Sequence, residues 1–278
     1  MSGFQQERDT LGIHLRELRR AAGLNGKELA ALLGWPPSKV SKIEHGRQTP
    51  TEADLAAWAQ AVGAPHAVEA LTARLRALET HYVTWRRQLR AGTRPRQQAS
   101  LDLEARSGII RAMETAVVPG LLQTPEYAHH VLQAWVTLHR TPDDVPEGVR
   151  VRMQRQLVLY DLSKRFHFLI CETVLRARVC PAAVLRGQID RLIALTTLNN
   201  VALGIIPFGV ELPFPVLHGF WVFDERVVLV ETLGAEITVT DEDEIQLYLQ
   251  AFDQAAGLAV YGERARALLS DTLVDLTD

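Results

Sequence analysis

The residue types able to ligate a metal or transfer a proton are sparse and badly spaced in this chain. His167 and Cys171 are four apart in an apolar run over residues 166–171, and Cys180 follows nine residues later. A zinc site needs a fourth ligand and tighter spacing, so both thiols read as buried core groups. His129-His130 read as partly exposed helix residues, or one of them as a core filler. Asp241-Glu242-Asp243-Glu244 resembles a cation cluster, but it stands where a helix begins, and acids there offset the helix dipole. There is no Gly-x-Ser-x-Gly, no His-Glu-x-x-His and no Walker loop. The expectation is therefore no catalytic residue, no metal and no cofactor, in a protein that is not an enzyme. One cationic cluster remains. Arg86, Arg87, Arg90, Arg94 and Arg96 fall within eleven residues with no acid among them. Such a run offers extra phosphate contacts, a solvated linker, or a surface that docks on the acidic C-terminal body of the same chain.

The elements that carry these residues begin with a run of short helices. Leu11, Leu15, Leu18 and Ala22 mark one apolar face, with Thr10 as the expected N-cap and Gly23 as the stop. Asn25 and Glu28 predict a capping box for a second helix that ends at Gly34. A third helix is expected from about Pro36 to His45, with Val40 and Ile43 inward and Gly46 after it. Thr51 caps a fourth, whose inward face is Leu55, Trp58, Ala59 and Val62. Helices two and three are separated only by Gly34-Trp35-Pro36, the helix-turn-helix spacing. Beyond Pro65, the apolar positions Val68, Leu71, Leu75, Leu78, Tyr82, Trp85 and Leu89 predict one long amphipathic helix joining two parts.

From about residue 97 the pattern mixes helix and strand. Strands are expected at residues 166–171 and 201–206, and a hairpin at 220–223 and 227–231 around Asp224-Glu225-Arg226. Helices are expected after Thr124-Pro125, after Pro181 and after a Thr240 cap. The fold class is α+β: an all-α N-terminal domain over residues 1–64, a helical linker over 65–96, and a mixed α+β domain over 97–278.

Composition agrees with two globular domains: 278 residues, 47% hydrophobic and 23% charged. No apolar run is long enough to span a bilayer, and the N-terminus lacks a secretory signal, so the expected location is cytoplasmic, away from membranes. The net charge of −3 argues by itself against a nucleic-acid binder. Its distribution does not. Residues 1–64 carry +1, residues 65–111 carry +5, and residues 112–278 carry −9. This asymmetry points to an anionic partner for the front half.

Residues 10–64 resemble, nearly throughout, the DNA-binding domain of the Xre/Cro-repressor family. The resemblance is carried by Leu18-Arg19, Gly23-Leu24, Glu28-Leu29-Ala30, Leu33-Gly34-Trp35 and the stretch from Ser38 to Gly46. It implies that the third helix lies in the major groove of double-stranded DNA and that the protein is a homodimer. It further implies an ion pair between Arg19 and Glu44. Pro37, Ser38 and Lys42 are placed at base edges, and Lys39 and Ser41 near a phosphate or base. Asn25, Gly26 and Arg47 are placed at phosphates. Pro36 departs from the family by removing the usual hydroxyl cap of the recognition helix. Gly26 departs by lacking a long polar side chain, and Pro37 offers no hydrogen bond to a base.

Residues 97–270 resemble the uncharacterised C-terminal domain attached to Xre-type regulators of actinobacteria. The carrying segments are residues 118–128, 172–178 and 205–208, with Tyr248 and Phe252 on an acidic helix. That resemblance implies a domain with no attached reaction, in regulators that often sit beside a small partner protein. The expectation for this chain is a regulatory domain that dimerises and receives a signal from a ligand or a small partner protein. Two readings stay open: a sequence-specific transcriptional regulator, and an antitoxin-like interaction module that autoregulates its operon.

Overall fold

The computed structural model describes the backbone of residues 3–276, and the side chains except those of 3–7, 76–83 and 86. The expectations for Leu78, Tyr82 and Arg86 concern side chains outside the described residues. The chain forms two compact units, residues 1–83 and 84–278.

The first unit is all helical up to its last residues. It contains α1 (Gly3–Ala21), α2 (Gly26–Leu33), α3 (Pro37–Glu44), α4 (Glu52–Ala61) and α5 (Val68–His81). Leu11, Leu15, Leu29, Val40, Ile43, Leu55, Trp58, Leu71 and Leu75 make one buried cluster. Tight turns set the short helices. Gly23, Gly34, Gly46 and Gly63 all have positive φ, where a side chain would be strained. Gly12 lets α1 approach α3 closely: a Cβ there would lie 2.6 Å from the carbonyl oxygen of Ile43. The first helix departs from expectation. It starts at Gly3, so Thr10 lies inside it and is not an N-cap. Local capping logic pointed to Thr10, but the helix continues through it.

The single long connecting helix is also corrected. After α5 come a short strand β1 (Tyr82–Thr84), a four-residue helix α6 (Trp85–Gln88) and α7 (Thr93–Arg106). The break before α7 has a clear cause. Gly92 has φ +95°, and Asp144, distant in sequence, caps α7. Asp144 accepts from the backbone N–H groups of Thr93 at 2.5 Å and Arg94 at 3.0 Å, and from the Thr93 hydroxyl at 2.7 Å. These bonds hold the Asp144 carboxyl below its ordinary range, against the opposing effect of burial. α6 belongs to the second unit, where the Trp85 indole N–H donates to the carbonyl of Thr232 at 2.7 Å.

The second unit is built on a mixed sheet of β2 (Ile109–Glu114), β3 (Arg165–Cys171), β4 (Val201–Ile206), β5 (Phe220–Phe223), β6 (Val227–Glu231) and β7 (Ala235–Val239). Its order is β7-β6-β5-β2-β3-β4. β2, β3 and β4 run parallel, while β5 pairs antiparallel with β2 and with β6. The helices are α8 (Pro125–His139), α9 (Val145–Arg155), α10 (Glu172–Arg176), α11 (Ala182–Leu195), α12 (Glu242–Leu258) and α13 (Gly262–Asp275). The α+β class is what the sequence predicts.

Side-chain alternation along the strands splits the core in two. Trp221, Phe223, Phe166, Phe168 and Ile170 pack on one face with α11 and α13. Phe220, Val222 and Leu169 pack on the other with Ile245, Leu249 and Phe252 of α12. Both faces are covered, so all four residues of β5 are buried. The β5–β6 hairpin matches its predicted bounds, and Asp224 and Glu225 both take positive φ in its turn. The cap of α12 is Asp241, one residue beyond the predicted Thr240, and its Oδ1 accepts from the Glu244 N–H at 3.1 Å. Of the candidate ligating groups, His167 Nε2 lies 2.9 Å from the Tyr261 hydroxyl, and both cysteines are free.

Glu114, at the end of β2, has no cationic partner among the described residues. The Trp221 indole N–H donates to its Oε1 at 2.9 Å. Burial first, then the charge of Glu231, push its carboxyl to about 8, against the Trp221 bond. In the unfolded chain the same group ionises near 4.5. The unfolded state thus binds fewer protons than the folded state between these values, and stability falls as pH rises through that window. Replacing Glu114 with glutamine removes the effect. Urea unfolding of the parent and Glu114→Gln chains from pH 5 to 8 should show the variant gaining on the parent. The gain is up to ~1.4 kcal/mol per pH unit. Parallel pH profiles would contradict the assignment of a neutral Glu114.

Candidate nucleic-acid interface

The face of unit one that could meet DNA is set by how α2 and α3 are held. α3 is pinned from behind. Val40 and Ile43 are in the core, and Glu44 is only 5% exposed. The Arg19 guanidinium donates through Nε to Glu44 Oε1 at 2.5 Å and through Nη2 to Oε2 at 2.9 Å. Its Nη1 donates to the carbonyl of Leu24 at 2.7 Å, so one side chain ties α1, the following turn and α3 together. The paired carboxylate raises the Arg19 pKa against the effect of burial. Arg16 adds a bond from Nη2 to the Glu44 carbonyl at 2.8 Å, a contact no spacing rule flagged.

With its back fixed, α3 turns Pro37, Ser38, Ser41 and Lys42 to solvent, and Arg47 is exposed just past its end. Ser38 and Lys42 are four apart, hence on one helical face. Neither makes a side-chain bond or ion pair within the described residues, so both present free donors. Pro36 precedes α3 without a side-chain cap, as its missing hydroxyl requires. Two of the predicted contacts are engaged inside the protein. Lys39 Nζ donates to Asp54 Oδ1 at 2.7 Å and lies 3.8 Å from the centre of the Trp35 ring. It is thereby drawn toward α4. The Ser41 hydroxyl lies 3.5 Å from His45 Nδ1, which is held closer, at 2.7 Å, to the Ser41 carbonyl.

At the head of α2 the capping box forms as predicted. Asn25 Oδ1 accepts from Lys27 N–H at 2.9 Å and Glu28 N–H at 3.0 Å, and Glu28 Oε2 accepts from Asn25 N–H at 2.6 Å. Those three amides are occupied, which leaves the Gly26 N–H as the open backbone donor of this turn. The same box competes with the phosphate role of Asn25, because its side-chain oxygen is spent on the helix's own amides.

The arginine run is divided by the fold. Arg87, Arg90 and Arg94 are exposed. Arg96 bonds through Nη2 to Glu236 and, at 3.5 Å, to Glu231. It therefore docks on acids of the second unit.

Comparison with known proteins follows the same division. A helix-turn-helix domain profile matches residues 10–75, which extends through most of α5. The profile described as "Domain of unknown function (DUF5753)" matches residues 97–271, well over half of the chain. The chain belongs to the DUF5753 family. In this DUF5753 protein the profile covers every strand of the sheet from β2 onward. No curated protein matches it. Among solved structures, an archaeal chromatin protein described as showing a novel mode of DNA binding, TrmBL2, aligns over 94% of both chains. Its identity is 10% and its TM-score 0.32, too loose a likeness to support an argument. No described helix is long and apolar enough to cross a membrane.

Proposed function

We propose that this DUF5753 protein is a sequence-specific, DNA-binding transcriptional regulator of the Xre/Cro-repressor type. The observation that carries the reading is the two-sided character of α3. Its inner side is locked by Val40, Ile43 and the Arg19–Glu44 pair, and its outer side offers Ser38 and Lys42 without internal partners. A helix held this rigidly with free donors outward suits base readout in a major groove. The helix-turn-helix unit carries little net charge, so two copies bound as a homodimer supply affinity that one copy lacks. The second unit joins the copies and receives the signal, with no reaction of its own. The protein works in the cytoplasm.

The second reading, an antitoxin-like module that holds a small basic protein, draws on one observation. Leu217 and Leu247 are exposed beside a groove that continues along α12, whose first turn is Glu242, Asp243 and Glu244.

Selection of bound fragments from random duplex DNA tests the first reading. A recurrent two-fold site with half-sites about one helical turn apart is expected. Binding with no sequence enrichment would overturn it.

A further inference from the structure

The second unit encloses a cavity of about 540 Å³. Small-molecule sites span roughly 300–1,000 Å³. One part of its wall is aromatic, with the indoles of Trp85, Trp135 and Trp221. Another part is a cluster of charged and amide side chains from α7 and α9.

The cations and acids of that cluster are not paired one to one. Arg155 is matched: its Nε donates to Glu104 Oε2 at 2.9 Å, and its Nη2 to Glu104 Oε1. Arg96 is matched by Glu236 and Glu231. Arg152 has only neutral acceptors. Its Nε donates to Gln97 Oε1 at 3.0 Å and its Nη1 to Gln123 Oε1 at 2.6 Å. Gln123 is itself fixed, donating through Nε2 to the Val118 carbonyl at 2.7 Å. Two amide oxygens thus orient the guanidinium plane without supplying negative charge. Arg152 Nη2 has no acceptor among the described residues, although the side chain is only 9% exposed and lines the cavity. Burial first, then the charges of Arg155 and Arg96, lower the pKa of Arg152 to about 9, against the charges of Glu231 and Glu104, neither of which bonds to it. The Glu114 carboxyl also lines the cavity, and burial there pushes it up to about 8, which disfavours its charged form.

A buried guanidinium oriented by neutral groups is costly unless an anion completes it. Arginine presents a fork that fits carboxylate and phosphate oxygens. We infer that the cavity of the second unit binds a small organic anion, its carboxylate or phosphate on Arg152 and its apolar or aromatic body against Trp85, Trp135 and Trp221. This rests on the reading of the second unit as the signal-receiving half, and it gives that signal a chemical class. The three indoles make occupancy visible by fluorescence.

The test titrates the full chain, without DNA, with benzoate, phenylacetate and phenyl phosphate, and with benzamide as the neutral isostere of benzoate. Calorimetry and tryptophan fluorescence read the binding. Saturable binding of at least one anion is expected, with benzamide at least tenfold weaker than benzoate where benzoate is the binder. In Arg152→Gln, anion affinity should fall at least tenfold while benzamide changes less than twofold. If Arg152→Gln does not fold, the acid-to-amide comparison and the three-anion panel in the parent chain decide alone. Three results overturn the inference: no anion binds saturably, benzamide equals benzoate, or a folded Arg152→Gln chain binds anions as the parent does. Any of them leaves the DNA selection unaffected, so failure here is distinguishable from failure of the regulator reading.

Discussion

Replacing Ser38 and Lys42 together with alanine is expected to abolish operator preference while the protein stays folded. Both side chains point to solvent from α3 and make no side-chain bond or ion pair within the described residues. Their removal should change stability by no more than about 0.5 kcal/mol. A good base contact contributes roughly 1–3 kcal/mol of discrimination, so losing two should weaken the selected site by about 30-fold or more. Affinity for random duplex should fall far less, because phosphate contacts dominate there. Fluorescence anisotropy with the selected site and a scrambled duplex measures both. Arg47→Ala provides the contrast. An exposed cation beyond the recognition helix should weaken both duplexes alike and flatten the salt dependence by about one phosphate. A double variant that still prefers its site would remove α3 from the readout.

Arg19→Ala and Glu44→Ala are expected to have the opposite profile. Their carboxylate and guanidinium are nearly buried and joined by two bonds, and Arg19 also holds the Leu24 carbonyl. Removing one partner strands the other charge in the core, which costs about 3–5 kcal/mol. The helix-turn-helix unit should melt earlier in urea, and DNA binding should fail as a consequence of unfolding. Arg19→Met with Glu44→Leu should recover much of the stability, because no uncompensated charge remains. Arg16 would then lose its neighbouring carboxylate, which limits the recovery. A single variant with the parent's unfolding midpoint and lost DNA binding would instead place the pair in the readout.

Much of the first unit was legible because its signals are local. Asn25 with Glu28, Thr51 before Glu52, and glycines at the turns act within four residues, and the helices they bound form at the predicted places. The β5–β6 hairpin was legible for the same reason. The Arg19–Glu44 pair followed from a resemblance, and the geometry matches it. The start of α1 was not legible from its expected cap, since Thr10 proved to lie within the helix. The linker was misread because helical spacing continues through Trp85 and Leu89, while what interrupts it lies elsewhere. Asp144 caps α7 from about fifty residues away. β2, the strand between β3 and β5, was hidden in a segment whose alternation is blurred by Arg111 and Glu114.

The sequence by itself determined the capped starts of α2 and α4, the α+β class, the donors of α3 and the uneven charge, all of which depend on neighbours in the chain. Only the tertiary structure decided which of those donors are free and which charges are matched. It drew Lys39 to Asp54 and Arg96 to Glu236, and it left Arg152 among amide oxygens. The physical reason is that the fate of a charge depends on its solvation and its nearest opposite charge. Both are set by residues that folding brings together from distant parts of the chain.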